Sequence, residues 1–255
     1  MADGFLAEMT AQFWLVGAVF LRLGPAFFLA PGYGERYVSV RLRLSTAGLF
    51  SVAVAPVLAP YLPASAPAGA ELLVFLFKET TIGFFIGLMS RGMIYLLEMA
   101  GTVISQSISL AQMLGNATEP MPVISHLLTT TGIAILFSVS LADQMLYMFV
   151  LGYTLDMAGI AGLPGYLASR ARSLLNEVFN QAVVLSSAFL ALMFVYYLCI
   201  GFINKAMPQF MVSFIGIPFV ALFSIHFLYL HHELLLDVWQ QKSLMILMLP
   251  YGPDP

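Results

Sequence analysis

The chain has 255 residues, of which 60% are hydrophobic and 9% are charged, whereas a soluble domain is about 45–50% apolar and about 25% charged. This composition predicts an all-α, polytopic integral membrane protein. Because one helical crossing of a bilayer takes about 20 apolar residues, the length allows six or so crossings, and we expect no separate soluble domain. The net charge of −3, spread along the chain, excludes a nucleic-acid-binding surface.

The first apolar run extends from Met9 to Tyr33 and carries Arg22 near its middle, three residues before Pro25. A charge at that depth is costly, so we expect Arg22 to face protein or water, or to snorkel. Two roles are open for it, a structural ion pair and a part in transport. The densest basic stretch of the chain follows, with Arg36, Arg41 and Arg43.

The next two segments differ in their helix breakers. Residues 44–70 hold no charge but four prolines, so we expect the second helix to end near Pro56. From Glu71 to about Met113 the sequence predicts one long helix or a bent pair. Within it, Gly83 and Gly87 have the spacing of close helix–helix contacts.

The second half of the chain is predicted to be built of helical hairpins. Residues 123–142 and 144–155 form two helical arms interrupted at Asp143, and residues 178–204 and 206–232 are two further candidate spans. We therefore expect a single membrane subunit over 1–255, with N-terminal helices in 1–112, a breaker-rich loop in 113–122, a hairpin in 123–165 and a C-terminal hairpin in 166–255.

The positive-inside rule does not fit a simple series of full crossings. If Arg36, Arg41 and Arg43 are cytoplasmic, the remaining basic positions do not all fall on the same side; these are Arg91, Arg170, Arg172 and Lys205. We therefore expect some helices to be hairpins that pack on partner proteins without crossing lipid.

A polar stripe interrupts the apolar sequence at intervals of three or four residues, the period of one helix face. Its members are Glu98, Thr102, Ser105, Gln106, Ser109 and Gln112. Such a face must meet either water in a cavity or polar groups of another helix, and both interpretations are open. The stripe leads into the irregular loop between Met113 and Met121, and this combination suits an obstruction in a wet pore. If the loop lies outside the membrane, it is only a connection.

Catalytic and metal-binding patterns are weak. His231 and His232 follow His226 by five and six residues, which is not the i, i+4 spacing of a zinc-binding helix. We therefore expect no catalytic, cofactor or metal site. A secondary transporter with a site near Arg22, Glu98 or Asp143 is the alternative, although it would normally show an internal repeat. A membrane enzyme that uses His231 and His232 is the third hypothesis.

Several ordered blocks resemble the FliR family of flagellar export proteins and its injectisome relatives. The most specific block runs from Gly201 to Gln209, where the family shows Gly-x-x-Asn-Arg-x-x-Pro-Gln, and it continues through Gly216 and Pro218. Further matches are Phe20-Leu21-Arg22, Glu79 with Gly83 and Gly87, Gly101 and Glu119-Pro120. The chain departs from the family at Lys205, which replaces arginine, and at Leu141-Ala142-Asp143, which replaces Asp-Gly-His.

This resemblance implies a non-enzymatic subunit of the flagellar type III protein export gate in the bacterial inner membrane, at the flagellar basal body. It implies helical hairpins that assemble with FliP-like and FliQ-like subunits, together with a FlhB-like one, into a channel for unfolded secreted proteins. An injectisome homologue is the alternative. The loop from Ala111 to Met121 is implied to plug that channel, beside a methionine ring of the FliP-like subunits.

Two sets of residues carry these expectations. For the channel and plug they are Gln106, Ser109, Gln112, Met113, Asn116, Glu119 and Met121. For structure and assembly they are Arg22, Gly83, Gly87, Asn204, Lys205, Pro208, Gln209, Gly216 and Pro218.

Overall fold

The computed structural model describes residues 2–108, 123–139, 141–154, 162–206 and 212–248, with the backbone alone for 212–221. These ranges contain no strand, and the predicted all-α class is confirmed. Seven α-helices account for nearly all of them: α1 (Ala2–Leu29), α2 (Val40–Leu58), α3 (Ala70–Ile108), α4 (Val123–Ser138), α5 (Leu141–Thr154), α6 (Leu163–Ala206) and α7 (Val212–Met248). A 3₁₀ turn, Ala59–Tyr61, follows α2.

The chain groups into two compact units. The first comprises Met1–Gly92, Phe137–Leu174 and Leu247–Pro255, and the second comprises Met93–Leu136 and Leu175–Ile246. Both α3 and α6 contribute residues to each unit.

The core of the first unit forms where α1 and α2 pack together. Buried residues of α2 recur at the spacing of one helix face; they are Arg43, Ala47, Ser51, Val54, Ala55 and Leu58. On the α1 side Phe27 is fully buried and stacks on Phe50, with ring centroids 5.1 Å apart. Tyr33 meets the edge of Phe27, also with 5.1 Å between the ring centroids, and burial raises the pKa of its phenol.

The core of the second unit is centred on Trp239 of α7, whose side chain is fully buried. Its indole Nε1 donates a hydrogen bond to the Met93 carbonyl oxygen at 2.8 Å, which satisfies the one polar atom of the ring. Opposite it lies Gly132 of α4, where a Cβ would come 3.2 Å from the indole and still closer to Leu97. A larger residue at 132 would therefore push α4 away from this core.

One predicted helix end is confirmed, and one predicted break is wrong. The second helix ends at Leu58, two residues after Pro56. Proline near the end of a helix removes a single intrahelical hydrogen bond, so the following residue can stay helical. The break predicted at Asp143 lies before it, after α4 ends at Ser138, and Asp143 sits in the first turn of α5. A carboxylate there interacts favourably with the positive end of the helix dipole.

Within the described residues, four helices are long and apolar enough to cross a membrane: Glu8–Leu29, Val40–Tyr61, Ala70–Ser107 and Leu163–Ile203. The pair Val123–Ser138 and Asp143–Tyr153, bent by 72°, makes a fifth if it is one broken span. The length of the chain allows six or so crossings. That number assumes about 20 residues in each helix, whereas α3 has 39 residues and α6 has 44.

Candidate functional site

A buried charged group lies at the centre of the first unit, and we call it the Arg22 cluster (Arg22, Glu79 and Tyr153). The Arg22 guanidinium donates two hydrogen bonds to the Glu79 carboxylate, from Nε to Oε2 at 2.7 Å and from Nη2 to Oε1 at 3.0 Å. Both residues are 3% exposed. This bidentate geometry is the strong form of an arginine–carboxylate pair.

Tyr153 of α5 completes the cluster. Its hydroxyl donates to Glu79 Oε2 at 2.9 Å, and the Arg22 guanidinium carbon lies 3.5 Å from the centre of its ring. The cation is thus held by a carboxylate and by an aromatic face. Of the two roles that the sequence left open for Arg22, the geometry is that of an ion pair. The sequence did not identify Tyr153, which lies 74 residues from Glu79.

Beside the cluster, α1 and α3 approach so closely that side chains are excluded. A Cβ on Gly83 would lie less than 3.0 Å from the Arg22 carbonyl oxygen, and one on Gly87 would lie 2.8 Å from the Ala26 carbonyl oxygen. Two glycines one helical turn apart on α3 therefore face the backbone of α1. The close approach lets the short Glu79 side chain reach Arg22.

Glu35, in the connection between α1 and α2, brings together several basic residues. The Arg91 guanidinium lies 3.0 Å from Glu35 Oε1, and Arg43 Nη2 donates to the Glu35 carbonyl oxygen. Arg91 therefore lies beside the connection that carries Arg36 and leads into α2. The segment from Ala70 to Arg91 rises about 32 Å, which is about the thickness of one bilayer core.

The polar stripe of α3 is divided between two surroundings. Ser125 of α4 donates to the Glu98 carbonyl oxygen at 3.0 Å and lies 3.4 Å from the Thr102 hydroxyl, and a Cβ on Gly101 would clash with the Ser125 backbone. Here the stripe meets another helix, one of the two predicted interpretations. Further along, Gln106 is exposed.

The rest of the predicted channel and plug set lies outside the described residues. These residues are Ser109, Gln112, Met113, Asn116, Glu119 and Met121. The same holds for Pro208 and Gln209 of the assembly set. Asn204, Gly216 and Pro218 are described by their backbone alone.

The described end of α6 presents an apolar groove on the second unit. Phe202 is 70% exposed and Phe194 is 67% exposed, and a Cβ on Gly201 would meet no atom within 4 Å. The groove is lined by Phe194, Tyr197, Leu198, Gly201, Phe202 and Lys205. Lys205, in the last turn of α6, is exposed at its edge.

Most of the residues suggested for transport or catalysis lie in the described part of the chain, where their surroundings can be stated. Asp143 is exposed, and Arg22 is paired with Glu79. His231 and His232 are exposed, and each ring Nδ1 lies within hydrogen-bond distance of a carbonyl oxygen of its own helix. Among the described residues, no three His, Cys, Asp or Glu side chains are close enough to hold a metal ion.

Comparison with known proteins identifies the family of this chain. Residues 13–245 match the family described as bacterial export proteins, family 1. The flagellar biosynthetic protein FliR of Caulobacter vibrioides is 24% identical over 234 residues, covering 91% of this chain and 93% of the relative. The flagellar biosynthetic protein FliR of Bacillus subtilis is 24% identical over 210 residues, covering 78% and 79%. Since the family match takes in nearly the whole chain, this protein belongs to family 1 of the bacterial export proteins, the FliR family.

Proposed function

We propose that the chain is a non-enzymatic subunit of the flagellar type III protein export gate in the bacterial inner membrane. In this role it assembles with FliP-like and FliQ-like subunits and with a FlhB-like one. Together they form a channel for unfolded secreted proteins, and this chain supplies the plug loop. The flagellar branch is preferred to an injectisome because both relatives are flagellar biosynthetic proteins.

The observation that carries the proposal is the excess length of α3. Its segment Ala70–Arg91 already rises about the thickness of a bilayer core, yet the helix continues to Ile108. Its longest stretch without a charged residue, Thr80–Ser90, rises about 16 Å, roughly half of that core. A helix of this kind is better suited to burial among other subunits than to a lipid surface.

The exposed apolar groove of α6 supports assembly in the same way. A soluble protein rarely exposes a contiguous patch of large apolar side chains, and on a membrane chain lipid or another subunit must cover it. The groove carries Gly201 and Lys205 of the family block, and its polar edge would be poorly placed in lipid. We infer that a FliP-like or FliQ-like helix packs there.

Purification through this chain is expected to recover two smaller helical membrane proteins. Phe202→Glu places a charge in the groove without touching a buried residue, so recovery of both should fall several-fold while the variant remains folded. Tyr37→Glu is the matched control, because Tyr37 is a 78% exposed aromatic on the first unit. Recovery of the chain alone from native membranes, with flagellar secretion intact after its deletion, would rule out the proposal.

The plug is proposed for the segment that follows the polar stripe. Gln106 is exposed near the described end of α3, so the stripe offers a polar surface there, and the breaker-rich sequence Gly115–Glu119 follows. Amide and hydroxyl groups bind diverse chains weakly, which suits a plug that must release any substrate. The residues proposed to act are Gln106, Ser109, Gln112, Met113, Asn116, Glu119 and Met121.

Deleting Gly115–Glu119 is expected to make the assembled gate leak small ions, because the obstruction is shortened while the helices remain. Single-channel conductance in planar bilayers, or ion sensitivity of whole cells, measures the leak. An equal deletion of residues 64–68, in the exposed connection between α2 and α3, is the control and should leave the gate closed. A closed gate in both variants would contradict the plug.

A further inference from the structure

A cavity of about 240 Å³ lies in the first unit, between α1, α3, the end of α5 and the connection after α2. Water occupies about 30 Å³ per molecule in the liquid, so the cavity has room for several waters or for one tetrahedral oxyanion with a few waters. Its polar walls are formed by Arg22, Tyr61, Lys78, Glu79 and Tyr153. It therefore borders the Arg22 cluster but extends beyond it.

The walls of this cavity carry an excess of positive charge. Glu79 neutralises Arg22, which leaves the half-buried Lys78 with no ion pair or hydrogen bond among the described residues. Arg22 itself is only 3% exposed, and its Nη1 has no acceptor in the described part of the chain. A half-buried cation without an ion pair is costly, and an anion in the cavity would pair with Lys78.

The mouth of the cavity has the features of the membrane surface. Lys78 lies about 12 Å along α3 from its first residue, Ala70, and the connection that precedes this helix is exposed. Trp14 donates its indole N–H to the Pro63 carbonyl oxygen at 2.9 Å and packs against Phe75 at 5.5 Å. Tryptophan and tyrosine concentrate at the level of lipid headgroups.

We propose that this cavity binds a phosphate group, with Lys78 as its charged ligand and Arg22 among the residues of its wall. Lysine is a common point-charge ligand for phosphate, and basic pockets between transmembrane helices hold anionic headgroups. The phosphate is supplied either by the headgroup of an anionic phospholipid or by free inorganic phosphate. Glu79 stays paired with Arg22, so the bound group does not break the cluster.

The test uses the full chain in the assembly with which it is extracted, reconstituted into nanodiscs. In phosphatidylcholine discs, inorganic phosphate is compared with chloride at equal ionic strength, and the thermal unfolding midpoint is followed. In a second arm, discs containing phosphatidylglycerol are compared with phosphatidylcholine alone. A rise in the first arm identifies free phosphate as the ligand, and a rise in the second arm alone identifies the lipid. No rise in either arm overturns the proposal.

Lys78→Gln is expected to weaken the apparent affinity for phosphate or phosphatidylglycerol on the order of tenfold, the effect of losing one charge-assisted hydrogen bond. This affinity is read from the dependence of the unfolding midpoint on the amount of phosphate or phosphatidylglycerol. Lys78→Arg should retain it. Lys242→Gln is the matched control, because Lys242 is a half-buried lysine of the second unit. An equal response of Lys78→Gln and the unchanged chain would refute the assignment of Lys78.

A direct measurement keeps the proposal testable should Lys78→Gln fail to fold. The phosphatidylglycerol or phosphate retained per chain after detergent washing is counted by mass spectrometry on the unchanged protein and on Lys78→Arg. Retention by both supports the site. Absence of both ligands from the unchanged protein overturns it.

Discussion

Replacing Glu79 with glutamine is expected to destabilise the protein by about 3–5 kcal/mol, the usual cost of removing one partner from a buried ion pair. The variant leaves the Arg22 guanidinium 3% exposed and without a counter-ion. The Tyr153 hydroxyl also loses its charged acceptor. The measurement is the free energy of unfolding in detergent or lipid discs. The first unit should lose its structure before the second.

The control for this change is Glu71→Gln in the first turn of the same helix, where the carboxylate is exposed. It should cost less than about 1 kcal/mol, the size of a helix-dipole interaction at the surface. The double variant Arg22→Met with Glu79→Leu removes both charges together and should recover much of the lost stability. If Glu79→Gln is no worse than Glu71→Gln, the Arg22 cluster does not stabilise this unit.

Gly83→Ala is expected to be among the most damaging single-methyl changes in the chain. The added Cβ would meet the Arg22 carbonyl oxygen, a backbone atom that cannot move without moving α1. Overpacking typically costs about 1–3 kcal/mol, and a contact with backbone belongs at the upper end of that range. The shift would also draw Arg22 away from Glu79. Thermal unfolding of the purified chain measures the loss.

Gly17→Ala and Gly48→Ala are the matched controls, because a Cβ at either glycine would meet no atom within 4 Å. Both lie inside helices, where alanine is favoured over glycine by up to about 1 kcal/mol, so these variants should be neutral or slightly more stable. Gly87→Ala, whose Cβ would lie 2.8 Å from a carbonyl oxygen, should fall between Gly83→Ala and the controls. Equal stability of all four variants would contradict the close packing of α1 and α3.

Composition and helical periodicity were sufficient to predict the all-α class, because both are local properties of the sequence. They also predicted that Arg22 would face protein or water, or would snorkel. The identity of its partner was not predictable, since Glu79 and Tyr153 reach it only through packing between helices far apart in sequence. A useful signal was present: Gly83, one turn after Glu79, marks the face of α3 that approaches another helix.

Topology was harder to predict because hydropathy measures water avoidance and does not distinguish lipid from protein neighbours. The charge count treated Arg91 as a residue that should face one side of the membrane, whereas it lies in an ion pair with Glu35. The polar stripe shows the same limitation. Its period predicted a helix face that avoids lipid, but only the structure shows that Ser125 occupies part of it.

The position of Trp239 in the chain has a consequence for the order of events during synthesis. The first unit is nearly complete once residue 174 has been made, but the core of the second unit needs the indole that bonds to Met93, 146 residues earlier. At a synthesis rate of about 5–20 residues per second, α4 waits roughly 5–20 s for this ring. During that interval its apolar surface needs a temporary shelter, in lipid or against the insertion machinery.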